Sequence, residues 1–160
     1  MAEECRRRRA AWQLEGRARA REEDLLHQAG CLLYWAEGSK DRNAVNLVNS
    51  DIALVRLFRR FLSECLEIAS DRMTFRLNVY TGNGLTIADI ERHWLSALDL
   101  PRTCLRKHSI NQPSNASGLK TNKLPYGVGN LAVLESTRWV QHIYGAIQEY
   151  GGFDEPRWLD

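Results

Sequence analysis

The sequence predicts an α+β fold on three observations. Apolar residues recur at helical spacing in several separate stretches. One stretch, Met73 to Tyr80, alternates strictly instead: Met73, Phe75, Leu77 and Val79 share one side, and Thr74, Arg76, Asn78 and Tyr80 the other. Cap and turn residues punctuate the chain where one pattern gives way to the next. At 160 residues, with 44% hydrophobic and 26% charged content, the chain suffices for one domain with a real core. It shows no internal repeat and no second domain.

Residues 2–23, built of Arg, Ala and Glu, read as a helix with little apolar stripe, expected to project or fray. Asp24 offers an N-cap to a compact helix, Leu25 to Trp35, that is apolar nearly all round and needs burial on more than one side. Gly38 is expected to end it in a left-handed conformation. Ala44 to Val48 reads as a short strand. Ser50 is the expected cap of a helix over 51–67, with the stripe Ile52, Val55, Phe58, Phe61, Leu62 and Cys65 flanked by Arg56, Arg59 and Arg60. After the strand at 73–80, Gly82-Asn83-Gly84 is a turn, and Thr86 with Asp89 forms a capping box for a helix to Leu98. Cys104 to Ile110 alternates like another strand, and 111–122 is polar and loop-like. Gly127 to Leu134 reads as a strand. Ser136 is the expected cap of a last helix that ends before Gly151-Gly152.

Composition excludes some classes. No apolar run approaches the roughly 20 residues a membrane helix needs. The arginine-rich start is not a secretory signal. Cys5, Cys31, Cys65 and Cys104 lie far apart with no zinc-ligand spacing, so four reduced thiols in a cytoplasmic protein are expected. Net charge is only +2, but it is unevenly spread. Residues 1–21 hold seven arginines against three glutamates. Residues 102–123 hold Arg102, Arg106, Lys107, Lys120 and Lys123 with no acid, and the tail carries Glu149, Asp154, Glu155 and Asp160. Two basic clusters point to a polyanion on one face; solvated surface charge is the plain alternative.

The stretch Leu25-Leu26-His27-Gln28-Ala29-Gly30-Cys31-Leu32-Leu33-Tyr34-Trp35-Ala36-Glu37-Gly38-Ser39 resembles the signature helix of the LAGLIDADG family. Glu37 falls on the family's second acid. Val45 to Asp51, continuing to Phe58, resembles its strand and the start of its second helix. Leu131 to Thr137 resembles its last strand and helix. Together these cover about residues 25–150. Stand-alone proteins of actinobacterial type share the phrases G-C-x-L-Y-W-A-E-G and L-P-Y-G more closely, and longer members carry a helix-turn-helix ahead of the arginine-rich region. The resemblance implies a basic helical extension over 1–23 and a LAGLIDADG-like domain over 24–152 with a mixed or antiparallel saddle-shaped sheet. The helix and strand over about 86–110 depart from the family's plan and read as an insertion, and the charge pattern makes 153–160 an acidic tail.

It further implies a homodimer that binds double-stranded DNA. Two signature helices meet at a two-fold axis, with Ala29, Gly30, Leu33 and Ala36 at the interface, and this brings two copies of Glu37 together. Paired carboxylates repel unless a cation lies between them, so Glu37 is the expected ligand of Mg2+ in phosphodiester hydrolysis. Lys107 is the candidate basic residue beside the scissile phosphate. Arg76 and Asn78 suit base readout, while Arg106, Lys107, His108, Lys120 and Lys123 suit DNA contact. Surface or core roles compete at each of these positions. His27, His93 and His142, with no motif spacing, read as core or surface histidines. Tyr34 or Trp35 stands where the family has its first acid, and Ser39 to Asn43 is too short for the usual DNA-reading hairpin. Three functions follow: a magnesium-dependent homing-type endonuclease, a non-cleaving DNA-binding transcription regulator, or a protein-interaction scaffold.

Overall fold

The computed structural model describes residues 1–80, 82–111 and 124–160. Among them the chain forms α1 (Ala2–Ala20), α2 (Leu25–Glu37), β1 (Asn46–Asn49), α3 (Ile52–Glu64), β2 (Met73–Tyr80), α4 (Ile87–Leu98), β3 (Ser109–Asn111), β4 (Val128–Val133) and α5 (Thr137–Gly151). The expected α+β class is therefore observed, with a mixed four-stranded sheet. No helix among the described residues is long and apolar enough to cross a membrane.

Local chemistry sets most element starts. Asp24 Oδ1 accepts from the Leu26 and His27 N–H groups at 2.9 and 3.1 Å, and Thr86 with Asp89 makes the expected capping box of α4. For α3 the cap is Asp51 rather than Ser50, with Oδ1 accepting from Ala53 and Leu54. Ser136 does not cap α5. Its hydroxyl donates to the Val133 carbonyl at 2.7 Å and accepts from the Val45 N–H at 2.8 Å, tying β1 to β4. Gly38 is extended (φ −70°, ψ 164°) rather than left-handed. It is needed there because a Cβ would sit 2.5 Å from the Tyr34 ring.

The strand order is β1-β4-β2-β3, antiparallel except for the parallel β2–β3 pair. The expected strand over 104–110 is mostly absent. A 3-10 turn covers Arg102–Cys104, and only Ser109–Asn111 pairs as β3. The cause is a side chain in a backbone place: His108 Nδ1 accepts the Leu77 N–H at 2.9 Å. Helices cover one sheet face, where Leu47, Phe75, Leu77, Leu131 and Val79 are buried. The segment over 86–110 contributes to this core, with Trp94 of α4 buried against Phe75 and its Nε1 donating to the Tyr126 carbonyl.

The N-terminal helix does not project. α1 lies along α5 so closely that a Cβ on Gly16 would overlap the His142 carbonyl, and one on Gly145 that of Gln13. Small residues and amides, not a leucine stripe, make this seam. Buried Gln13 donates to Gln141 at 2.8 Å, and Gln148 donates to Gln13 at 3.0 Å. Satisfied in this way, buried amides avoid the desolvation penalty an unpaired group would carry.

Candidate nucleic-acid interface

The sheet face opposite the helices is lined by side chains at every second position of its strands. In register across it run Asn46–Ala132–Thr74, then Val48–Asn130–Arg76, then Val128–Asn78–Ser109. Tyr80 pairs with Asn111 at the corner. Arg76, Asn78 and Tyr80 are exposed, as is Val48 of the edge strand. Asn111 Nδ2 donates to Asn78 Oδ1 at 2.8 Å, which fixes the Asn78 amide plane. Asn46 Oδ1 is buried without a hydrogen-bond partner among the described residues. Amides and a guanidinium at this spacing are the groups that pair bidentately with adenine and guanine edges. Arg76 and Asn78 therefore stand where the alternation placed them. Asn46, Asn111 and Asn130 join them, and the signal that could have found these is the recurrence of Asn on the polar side of three strands.

Of the basic residues after α4, Arg102 and Arg106 make contacts within the chain. Arg102 pairs with Glu91 at 3.2 Å. Arg106 is exposed and turns its Nη1 onto the carbonyls of Thr103, Cys104 and Leu105. Both ring nitrogens of His108 are occupied within the chain, Nδ1 by the Leu77 N–H and Nε2 by Glu91 Oε2 at 2.9 Å, so this ring braces α4 to β2. The His108 hydrogen bond, helped by Arg102 and opposed by burial, holds the Glu91 carboxyl below its usual range. Lys107 is exposed. Lys120, Lys123 and the polar loop lie outside the described residues.

The N-terminal arginines are answered by the acidic tail. Arg6 pairs with Asp160, Arg17 with Asp154 at 2.5 Å, and Arg21 with Glu149 at 2.9 Å. Arg9 Nη1 donates to the Leu159 carbonyl at 3.1 Å. The hydrogen bond from Arg21 is the main reason the Glu149 carboxyl sits below its ordinary value. Much of the basic cluster read from the sequence is thus neutralised by residues some 130–150 positions away.

α2 presents two faces. His27, Gly30, Cys31 and Tyr34 are buried. Gly30 is therefore not at an outer interface, because a Cβ there would overlap the Phe61 ring of α3. The opposite stripe, Leu25, Ala29, Leu32 and Ala36, is apolar and open to different degrees, with Leu25 82% exposed. Leu33 lies half-buried beside it. Glu37 closes the helix, exposed, with Oε2 accepting from Asn49 Nδ2 at 3.3 Å. The following residues pair with β1 through Gly38–Leu47, so Glu37 stands at the β1 edge of the sheet. Lys107 precedes β3 at the other edge, four strand spacings or roughly 19 Å from the Gly38 segment that pairs outside β1, and the two are not neighbours within one chain. No group of three or more His, Cys, Asp or Glu side chains among the described residues is arranged around a metal position.

A buried cluster was not foreseen from the sequence. His27 Nε2 lies 2.9 Å from His142 Nε2, and His27 Nδ1 lies 2.6 Å from the Tyr150 hydroxyl. Burial lowers both histidines to about 4, and for His27 the neighbouring His142 adds to the effect. Compared with known proteins, the chain matches no family model, no curated protein and no solved structure.

Proposed function

We propose that this chain binds double-stranded DNA as a homodimer of LAGLIDADG-like domains. The observation that carries the reading is the open sheet face, on which Arg76, Asn78, Asn111 and Asn130 gather base-edge donors and acceptors. Two further features support it. Helix, strand and second helix, then last strand and helix, follow in the order of the sequence resemblance. The outer stripe of α2 is apolar and self-complementary, so a second copy related by a two-fold axis would cover Leu25, Ala29, Leu32 and Ala36. That arrangement sets two sheet faces side by side as a saddle and brings the two Glu37 carboxylates toward each other.

Magnesium held there would supply Lewis-acid activation of a phosphodiester. Glu37 of each chain would position it, with Asn49 orienting the carboxylate. One observation favours the non-cleaving regulator instead: Lys107, the candidate basic residue, stands at the far edge of the sheet from the Glu37 of its own chain. Two measurements decide. Fluorescence anisotropy on a labelled duplex at low salt should show saturable binding, and its absence would favour the interaction scaffold. Magnesium-dependent plasmid nicking that Glu37→Gln abolishes, with affinity equal or higher, establishes the nuclease. Binding without nicking establishes the regulator.

A further inference from the structure

A cleft of about 290 Å³ opens beside the C-terminal end of α2, and its lining includes none of the residues named for the open sheet face or for the outer stripe of α2. Its walls are aromatic, with Trp35, Tyr144 and Trp158 around it, and its rim is cationic, with Lys40, Arg42 and Arg157. No acidic side chain is among the residues that line it. Each wall is held from behind. Phe153 stacks on Trp35 with ring centres 5.4 Å apart, and Tyr144 packs on Trp158 at 5.0 Å. The Tyr144 hydroxyl donates to the Asp41 carbonyl at 2.9 Å. The tail that carries Trp158 is anchored through Arg9 to Leu159 and through the Glu155 N–H to Gln148. The aromatic surfaces are therefore preorganised, which lowers the ordering cost of binding.

The rim donors are only partly engaged. Lys40 Nζ gives one hydrogen bond, to the Trp35 carbonyl at 2.7 Å. Arg42 gives one from Nη1 to the Arg157 carbonyl at 3.3 Å. Arg157 shares its Nε and Nη2 with Glu155 at 2.9 and 2.7 Å, which offsets one of the three charges and holds that guanidinium in place. The remaining N–H groups of Lys40 and Arg42 face no carboxylate among the residues lining the cleft. A multiply charged oxyanion uses such a rim better than a single carboxylate does, because it accepts from several donors at once. A planar π-system uses the walls. The volume is at the lower end for small-molecule sites, which suits one base with its sugar phosphate.

We infer that this cleft binds a mononucleotide unit, with its base against the Trp35 and Trp158 walls and its phosphate on Lys40 and Arg42. The unit can come from a free nucleotide or from the 5′ end of a nucleic-acid strand, since both present the same base and phosphate. Neither source depends on the open sheet face, so the site stands or falls separately from duplex binding.

The test is calorimetric titration of the full chain with AMP, adenosine and inorganic phosphate, alongside a Lys40→Ala/Arg42→Ala variant. Both residues are exposed, so the variant should keep the melting temperature of the parent chain. AMP should saturate and bind at least about tenfold tighter than adenosine or phosphate, and the variant should lose about tenfold for AMP and little for adenosine. Trp158→Leu should weaken AMP and adenosine alike. A single-stranded 5′-phosphorylated oligonucleotide that displaces AMP identifies a strand end as an occupant, and failure to displace assigns the site to free nucleotide. AMP that does not saturate by about 10 mM, or that binds the double variant as well as the parent chain, overturns the proposal. Loss of AMP binding with duplex binding intact, or the reverse in Arg76→Ala, shows which of the two sites has been altered.

Discussion

His27 and His142 meet edge to face between α2 and α5 with Nε2 atoms 2.9 Å apart, sealed from solvent with the Tyr150 hydroxyl on the far nitrogen. Neutral rings satisfy this chain of hydrogen bonds in either tautomer, whereas two imidazolium rings would set N–H against N–H. Both folded values are about 4, below the 6.5 of the exposed ring. As pH falls below about 6.5 the unfolded chain takes up protons that the folded one refuses, so stability present above that pH is lost down to about 4. The steepest loss is about 1.4 kcal/mol per pH unit per histidine. Urea unfolding at pH 7.5 and 5 should show this drop, and His142→Gln should flatten it by about one proton; equal midpoints at the two pH values would refute the buried neutral pair. Gly30 poses a second question at this scale. Gly30→Ala should cost about 1–3 kcal/mol in thermal unfolding, because the added methyl meets the Phe61 ring inside one chain. Leu25→Glu, on the open stripe, should leave stability nearly unchanged and convert the proposed dimer to monomer by light scattering. If Gly30→Ala separates subunits without destabilising them, the two faces of α2 have been exchanged.

At the scale of elements, α1 and the tail behave as one clamp on α5. The tail's Asp154 and Asp160 and its Leu159 carbonyl engage Arg17, Arg6 and Arg9, and these links hold two chain ends that are remote in sequence. Removing residues 154–160 should free Arg6 of its carboxylate and Arg9 of the Leu159 carbonyl, while Arg17 keeps Glu149 and Gln148. Non-specific duplex affinity should rise at low salt, and the slope of log affinity against log salt should steepen by up to about 0.9 per arginine that reaches a phosphate. An unchanged slope in the truncated chain would mean that the tail masks nothing. This clamp also marks the limit of what the sequence made legible. Elements governed by nearby residues were readable: the Asp24 cap, the Thr86–Asp89 box, and β2 with its alternating faces. α1 was readable as a helix but not as a docked one, because glycine, alanine and glutamine make its seam and none registers as a hydrophobic stripe. The strand over 104–110 misled for a related reason: alternation does not reveal that the ring of His108 will take the hydrogen bond of Leu77. Of the site, Arg76 and Asn78 followed from period two alone. The His27–His142 pair depended on packing across 115 residues and left no local pattern.

At the scale of the whole molecule, the sheet divides labour between its faces. One side buries Phe75, Leu77, Val79 and Leu131 beneath α3, α4 and the α2–α5 pair, while the other keeps a polar row in register from β1 to β3. Arg76 and the amides of this row are thereby carried on strands braced from behind. Arg102 and Arg106 are engaged within the chain, and Lys107 is exposed at the β3 edge. Two sets of substitutions should therefore separate two aspects of DNA binding. Lys107→Ala with Lys120→Ala and Lys123→Ala should weaken all duplexes alike and flatten the salt slope by up to about 0.9 for each phosphate no longer neutralised, doubled in a dimer. Arg106→Ala should add little, because its guanidinium already caps three carbonyls. Arg76→Ala and Asn78→Ala should leave the slope nearly unchanged but cost about 1–3 kcal/mol on a preferred duplex and much less on a random one. A selection from randomised duplexes supplies the preferred sequence, and anisotropy at several salt concentrations supplies both readouts. If the Arg76 and Asn78 variants keep the parent's preference while the lysine variant loses it, the reading surface is the basic segment rather than the sheet.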